Sequence, residues 1–380
     1  MLVLRIIADS GPVSRIELAR RTKLKGATIT IIIKDFLEKN IIEPSGKIKG
    51  NRGRSVMSFS LKNRFCSVCV RITSTYIKVA LYDVSYVNLF IQKEFMNTSQ
   101  DVCNTLDRIK DLISDALSLN SLILLGVSIG IEGRCYLQDN DYSLWDKKTG
   151  SYIMVGKYLH DSLDIPILVN RAINYAAYYT WHQLYKHKIG TILQINVGYT
   201  IECGIIINGE IMNGHNGRTG MIRGNYISIE DKTTVEQYIA TPTILKEALA
   251  LLHEFPESVI KCKQDCLNIR DIINGFENDD PLCIRIFQDF SIRLANVIAP
   301  MVNLLAPSMV VAGDEIPVSE GFEKMVRNAL VPLIGEQNAS IVQTWTHGVP
   351  RDSRNDPALL GGNMYLLHAA IDYANSPIYT

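Results

Sequence analysis

A small basic head on a larger α/β body is the architecture the sequence predicts, and three observations predict it. Residues 1–64 carry 14 Lys plus Arg against 5 Asp plus Glu, a balance of +9, in a chain of 380 residues with zero formal net charge. The remainder holds 25 of the 39 basic and 34 of the 39 acidic residues, a balance of −9. Helix signals come first and two β-like runs follow. From Cys66 onward strands and helices alternate, the pattern of an α/β body in two lobes.

The bulk numbers fit this division. A chain of 380 residues exceeds what one core usually supports, so two or three domains are expected. Its 47% hydrophobic and 21% charged content is ordinary for a globular protein. The longest apolar run, "LILLGVSIGI" (Leu122 to Ile131), is too short to span a bilayer, and "MLVLRIIADSG" lacks a cleavable-signal pattern. Eight cysteines without framework spacing suit a reducing compartment. The expectation is a cytoplasmic protein without membrane insertion.

In the head, Leu2, Leu4, Ile6 and Ile7 predict a short helix stopped at Gly11-Pro12. Ser14 can cap a second helix, with Glu17 completing a capping box, and that helix ends near Thr22. The turn "KLKG" leads to a third helix from about Ala27 to Lys39. Two helices joined by a short Gly-containing turn make a helix-turn-helix layout. The β-like runs "NIIEPSG" and "VMSFSL" then flank "KIKGNRGR" as a hairpin. Helix, helix-turn-helix and hairpin together predict a winged helix over residues 1–62.

Physical roles follow from that layout. A basic head on an acidic body suggests a polyanion partner. The third helix would enter the major groove of double-stranded DNA with Ala27, Thr28, Thr30 and Ile31 near the bases. Arg15, Arg20 and Lys25 would meet phosphates. In the wing, Arg52 and Arg54 flank Gly53, and arginines favour a narrow minor groove. The run "TITIII" is a weak helix former, so some of its isoleucines must be core.

In the body, "CSVCVRITSTYIKVALYDV" reads as two strands joined by a turn, followed by a helix over about 101–119. "LILLGVSIGIEG" is a buried strand, "VGKYLHDSL" a helix, "IPILVN" a strand and "INYAAYYTWHQLY" a helix. A second strand set opens with "GTILQINVGYTIECGIIINGEIM". The helices "TVEQYIATPTILKEALALL" and "PLCIRIFQDFSIRLANVIAPMVNLLA" follow, then the strands "SMVVAGD" and "ASIVQTW". The first lobe is expected over 63–185 and the second over 186–380. The C-terminal helix, about 360–375, is expected to return to the first lobe.

Several segments resemble the ROK family (repressor, open reading frame, kinase), in particular its Mlc- and NagC-type repressors. They are "GPVSRIELARRTKL", "GNRGR", "VALYDV", "GIIINGEIMNGHNG", "VEQYIAT", "NVIAPMVNLLAPSMVVAGD" and "DPALLGGNMYLL", which together span nearly the whole chain. Family repressors usually carry extra residues before the first helix, which here begins almost at Met1. The resemblance implies a two-lobed actin-like ATPase fold for the body. Catalytic relatives phosphorylate a sugar with ATP, whereas repressor relatives sense a sugar or a partner protein.

Measured against that resemblance, three positions argue against catalysis. Kinase relatives place an acidic residue and glycines in the first β-turn, where this chain has "RITSTY" with Arg71 in the acidic place. Their Asn-Asp pair, whose Asp is the base, is Asn170-Arg171 here, and a guanidinium cannot act as a base. The second phosphate turn, "VGYTIECG", keeps Gly198 and Gly204 but puts Thr200, Ile201 and Glu202 where glycines are common. No catalytic residue and no cofactor are therefore expected.

Resemblance also offers Gly133, Asn170 and Glu236 as retained contacts for a sugar or sugar-phosphate effector. The family's zinc-binding segment is altered. Met221 replaces its Glu, Gly224 or Asn225 its His, and Thr234 stands in the place of its last cysteine. No metal is expected there. Cys66 and Cys69 form a CxxC, but on one strand they point to opposite faces. Cys262 and Cys266 sit at helical spacing with His253 not far in sequence, and are read as surface or half-buried thiols ahead of a metal site. Trp145, Trp181 and Trp345 are read as packing residues.

The leading expectation is a DNA-binding regulator, a repressor of carbohydrate-related genes, with a non-catalytic sensor body. It would act as a homodimer or homotetramer and could also be controlled by a regulatory protein. The alternative is a ROK-type sugar kinase with an appended head. A regulator without a small-molecule effector is a third reading.

Overall fold

The computed structural model describes residues 1–49, 55–119, 121–185, 190–263, 265–344, 356–373 and 378. Its first helix, α1 (Leu2–Ser10), buries Val3, Leu4, Ile6 and Ile7 and stops at Gly11, where φ is 68°. Glycine takes that conformation readily, which makes it a natural helix terminator. β1 (Val13–Ser14) follows, then α2 (Arg15–Thr22), capped by the Ser14 side chain accepting from the Glu17 N–H. Lys23, in the left-handed conformation, turns the chain towards α3 (Gly26–Glu38).

The β-branched run in α3 is helical because Ile29, Ile33 and Phe36 are buried at i, i+4, i+7 spacing. Burial of that stripe outweighs the weak propensity. β2 (Ile42–Lys49) pairs antiparallel with β3 (Ser55–Leu61), and β3 also takes β1, giving the order β1-β3-β2. β1 has two residues, too few to show alternation in the sequence. The sequence segment holding Arg52 and Arg54 lies outside the described residues, as does Trp345.

The chain divides into two units, residues 1–182 with 350–380, and residues 183–349. In the first, β4 (Phe65–Ile72), β5 (Tyr76–Asp83) and β6 (Asn88–Phe95) form an antiparallel meander. α4 (Val102–Ser118) leads to β7 (Ile123–Ile131), which joins β4 in parallel. A small sheet of β8 (Tyr136–Gln138), β9 (Asp141–Asp146) and β10 (Ser151–Met154) intervenes. α5 (Val155–Leu163), β11 (Ile167–Arg171) and α6 (Ala172–Thr180) follow, and a π-helical turn (Trp181–Tyr185) continues α6. The main sheet reads β11-β7-β4-β5-β6.

The second unit repeats this plan. β12 (Thr191–Val197), β13 (Ile201–Ile207) and β14 (Glu210–Ile211) form the meander. α7 (Val235–Ile239) and α8 (Thr241–Leu251) follow, a break at Ala240 replacing the single helix expected from the sequence. α9 (Ile269–Glu277) precedes the long α10 (Pro281–Leu305). β15 (Met309–Asp314) is parallel to β12, and after α11 (Glu320–Ile334) and α12 (Glu336–Ala339), β16 (Val342–Thr344) is parallel to β15. The sheet order is β14-β13-β12-β15-β16.

The last helix, α13 (Pro357–Asp372), packs on α6 and against β7 and β4 of the first unit. Glycines permit the approach, since a Cβ on Gly361 would lie 1.8 Å from the Tyr175 carbonyl oxygen. One apolar core joins Leu4, Ile7, Ile29 and Ile33 of the head to Phe65, Leu125, Leu367 and Ile371. No helix among the described residues is long and apolar enough to cross a membrane.

Candidate functional site

In the head, α3 buries one face and exposes the other. Lys25, Ala27, Thr28, Thr30 and Ile31 are all exposed, Ile31 to 70%. A helix that leaves an isoleucine this open has a face without a partner in the monomer. The Thr30 hydroxyl donates to the Gly26 carbonyl, 2.9 Å away, leaving its oxygen lone pairs outward. Arg15, at the start of α2, is exposed and lies 5.2 Å over the Phe59 ring, which fixes the strand pair beside the helix.

Arg20, expected to reach phosphate, is instead held by Glu17 at 2.9 and 2.7 Å, and Arg21 donates to the same carboxylate at 2.6 Å. Hydrogen bonds from Arg20 and Arg21 hold the Glu17 carboxyl down at about 2. The α2 surface therefore presents two arginines sharing one carboxylate, a net charge of +1, whereas Lys25 caps α3 without an ion partner among the hydrogen bonds and salt bridges of the described residues.

The first turn of the body, between β4 and β5, is closed by its own threonine. Thr73 Oγ1 accepts from the N–H groups of Thr75 and Tyr76 at 3.2 and 3.1 Å. Beside it, Arg71 donates to Glu132 at 2.7 Å and to Asp356 at 3.0 Å, and Lys78 donates to Asp356 at 3.2 Å. Burial alone would push the Asp356 carboxyl up, but Arg71 and Lys78 outweigh it and hold the group at about 2. The place that the resemblance assigns to an acidic Mg²⁺ holder is thus filled by a cation already bound to carboxylates.

Asn170 and Arg171 end β11, with Asn170 opposite Gly130 of β7. The Asn170 Oδ1 accepts from the Arg171 N–H and Asn174 Nδ2, each at 2.8 Å, and from Tyr142 OH at 3.3 Å. Arg171 is 1% exposed, the largest fully buried side chain among the described residues. A buried guanidinium neither abstracts a proton nor faces solvent. Gly133 follows β7 at φ 96°, with open space where a Cβ would be. Gly133 and Asn170 therefore lie at the ends of neighbouring strands. Glu236 belongs to the other unit, in the first turn of α7, where its N–H donates to the Arg223 carbonyl.

In the second unit the turn from β12 to β13 is ringed by acid. A Cβ on Gly198 would lie 3.4 Å from Asp314 Oδ2 and 3.8 Å from Glu315 Oε2. The Gly198 carbonyl accepts from the Thr241 N–H at 2.9 Å, and Thr241 Oγ1 donates to Glu315 at 2.5 Å. Glu202 is buried nearby on β13. These carboxylates would repel a nucleotide phosphate.

The segment that holds zinc in the resembling family closes here through backbone bonds. Tyr226 bridges Thr234, and the Val235 N–H donates to the Asn225 carbonyl at 2.8 Å. Thr234, in the place of the last cysteine, caps α7 in a reciprocal box with Gln237. Cys66 and Cys69 are both buried on β4 and enter different apolar clusters, as opposite faces require, and burial raises both thiols, Cys66 to about 11 and Cys69 to about 12. Cys262 and Cys266 are exposed.

These features place the chain in a class, a kinase-like two-sheet body behind a helical head with an open α3 face. The model of the ROK family matches residues 67–369, and the chain belongs to that family. Among curated relatives, the xylose repressor of Staphylococcus xylosus is 23% identical over 224 residues, which cover 58% of this chain and 58% of that protein. The DNA-binding transcriptional dual regulator NagC of Escherichia coli K12 is 23% identical over 90% of this chain and 86% of its own. A crystal structure of a ROK family transcriptional regulator, a homolog of the E. coli MLC protein, matches with TM-score 0.76 at 17% identity over 98% of both chains. A ROK family glucokinase from Streptomyces griseus, solved with glucose and AMPPNP, matches with TM-score 0.62 at 17% identity over 78% of this chain and 98% of that one. At these identities the solved structures speak for the fold, the actin-like body of sugar kinases.

Proposed function

We propose that this chain is a DNA-binding transcriptional repressor of carbohydrate-related genes, built from a winged helix-turn-helix head and a non-catalytic, sugar-kinase-like sensor body. The exposed α3 face of Lys25, Ala27, Thr28, Thr30 and Ile31 carries this reading, because small, hydroxyl and apolar side chains on an open helix are what base edges and thymine methyls accept. The names of the repressor relatives support it. Arg15 and Lys25 position the head on phosphates, and Arg52 and Arg54 serve the wing. The protein acts in the cytoplasm as a homodimer or homotetramer on a pseudo-palindromic operator. Gly133, Asn170 and Glu236 are the proposed contacts for a sugar or sugar-phosphate effector, and a regulatory protein is a second route of control.

Catalysis is absent in this reading because Arg71, buried Arg171 and the acid around Gly198 stand where phosphoryl transfer needs a metal holder, a base and a phosphate cradle. The experiment is selection from a random duplex pool by the purified full chain at near-physiological salt. Recovery of a pseudo-palindromic site supports the reading, and recovery of nothing above background overturns it. Arg52→Ala with Arg54→Ala is expected to lower the slope of log K against log salt by about 2, since each lost phosphate contact removes about 0.9.

A further inference from the structure

The junction between the head and the first sheet contains a polar cluster that neither DNA reading nor effector binding uses. Asp9 in the last turn of α1, His182 in the π-helical turn and His368 on α13 each offer one donor atom, and the three atoms lie within 4.8 Å of one another. His368 Nε2 lies 2.5 Å from Asp9 Oδ1, and its Nδ1 lies 2.6 Å from Tyr178 OH. The side chains of His368 and Asp9 are 2% and 5% exposed. The rings of His182 and His368 sit with centroids 4.8 Å apart.

We infer that Asp9, His182 and His368 form a binding site for a divalent transition-metal ion of the Zn²⁺ or Co²⁺ class. Two imidazoles and one carboxylate are the donor set such ions take, with water completing the shell. Tetrahedral coordination with bonds of about 2.1 Å places donors roughly 3.4 Å apart, so the side chains need only modest rotation to close on an ion. Tyr178 OH supplies the outer-shell contact that orients a ligating imidazole, and Arg5 Nη2 donates to that same oxygen at 3.1 Å. The guanidinium charge of Arg5 is already met by Asp372 at 2.5 Å. The π-helical turn matters too, because an extra residue in the helix re-aims His182, and such turns recur at functional sites.

Binding shifts the proton within the His368 ring. In the neutral imidazole this is a change of tautomer: the ring gives up the Nε2 proton it shared with Asp9 and takes one at Nδ1, the Nε2 lone pair passes to the ion, and the Nδ1 hydrogen then points at Tyr178. The ion would fasten three separate segments, α1, the end of α6 and α13, and so set how firmly the head's first helix is held.

The test is titration of the full chain with Co²⁺, in a Cys262→Ser, Cys266→Ser background that removes the exposed thiols as competing ligands. Visible absorption and equilibrium dialysis read the outcome. One Co²⁺ per chain is expected, with d–d bands and no thiolate charge transfer. His182→Gln is expected to weaken uptake by more than about tenfold, the loss that even an outer-shell change causes. Asp9→Asn, which keeps an acceptor for His368, serves as a second variant should His182→Gln misfold. Amide exchange over Leu2–Ser10 should slow on adding Co²⁺ to the parent and not to either variant. No uptake by the parent, or uptake and spectrum unchanged in both variants, overturns the proposal.

Discussion

The two main sheets share one plan and differ in charge at the same point. In each, a three-strand antiparallel meander continues into two parallel strands, and the first hairpin turn faces the end of the next parallel strand. In the β4–β5 turn the neighbouring charge is cationic, Arg71 and Lys78, and carboxylates from Glu132 and Asp356 neutralise it. In the β12–β13 turn the neighbouring charge is anionic, Asp314 and Glu315 around Gly198, with Thr241 bonded to Glu315. In one turn the cations are held in ion pairs, and in the other carboxylates lie beside the glycine.

That difference predicts a ranking of effects. Asp356→Ala strands the buried Lys78 and leaves the half-buried Arg71 with Glu132 alone, and should destabilise the first unit by about 3 kcal/mol, measured by urea denaturation. A loss under about 1 kcal/mol would mean the network is not structural. Gly361→Ala drives a methyl into the Tyr175 carbonyl at 1.8 Å and should cost about 3 kcal/mol, or abolish folding, through displacement of α13.

Acid sensitivity comes next. The Asp356 carboxyl falls to about 2 in the folded chain from 3.8. Its contribution is therefore complete above about pH 4 and is lost as pH falls towards 2, amounting to about 2 kcal/mol. Stability curves of wild type and Asp356→Asn should converge over that range, and parallel curves would contradict the assignment. The smallest effect belongs to the second unit, where Thr234→Ala removes one helix cap and should cost about 1 kcal/mol. Finally, Arg171→Asp restores a carboxylate at the base position, yet no phosphoryl transfer from ATP to glucose is expected, because both turns remain unfit. Measurable transfer would break the comparison outright.

Much of this was legible in the residues. Ser14 and Gly11-Pro12 mark the edges of α1 and α2, although the Glu17 carboxylate turns to Arg20 and Arg21 instead of closing the capping box, and which isoleucines of α3 are core, Ile29 and Ile33, shows only in the fold. Other elements were hidden for physical reasons. β1 is two residues of pairing. β6 mixes exposed and half-buried residues and shows little apolar periodicity. The break between α7 and α8 has a local signal, Pro242 at the start of α8, to which the Thr241 N–H bond to the Gly198 carbonyl adds a tertiary contact. At the candidate sites, local motifs reveal substitutions such as Arg171 but not their partners. Asp356 stands 285 residues from Arg71, and Asp9, His182 and His368 come from three remote segments with no motif among them.

The position of α13 has a consequence for synthesis. Leu367 and Ile371 complete the core that also holds Leu4, Ile7, Ile29 and Ile33, and His368 bonds to Asp9 across 359 residues of chain. At 5–20 residues per second, roughly twenty to seventy seconds separate translation of Asp9 from that of His368. Throughout that interval the emerging head lacks part of its apolar interior. A nascent chain would therefore be a poor competitor for operator sites, and a prime client for chaperones, until the ribosome has passed the final helix.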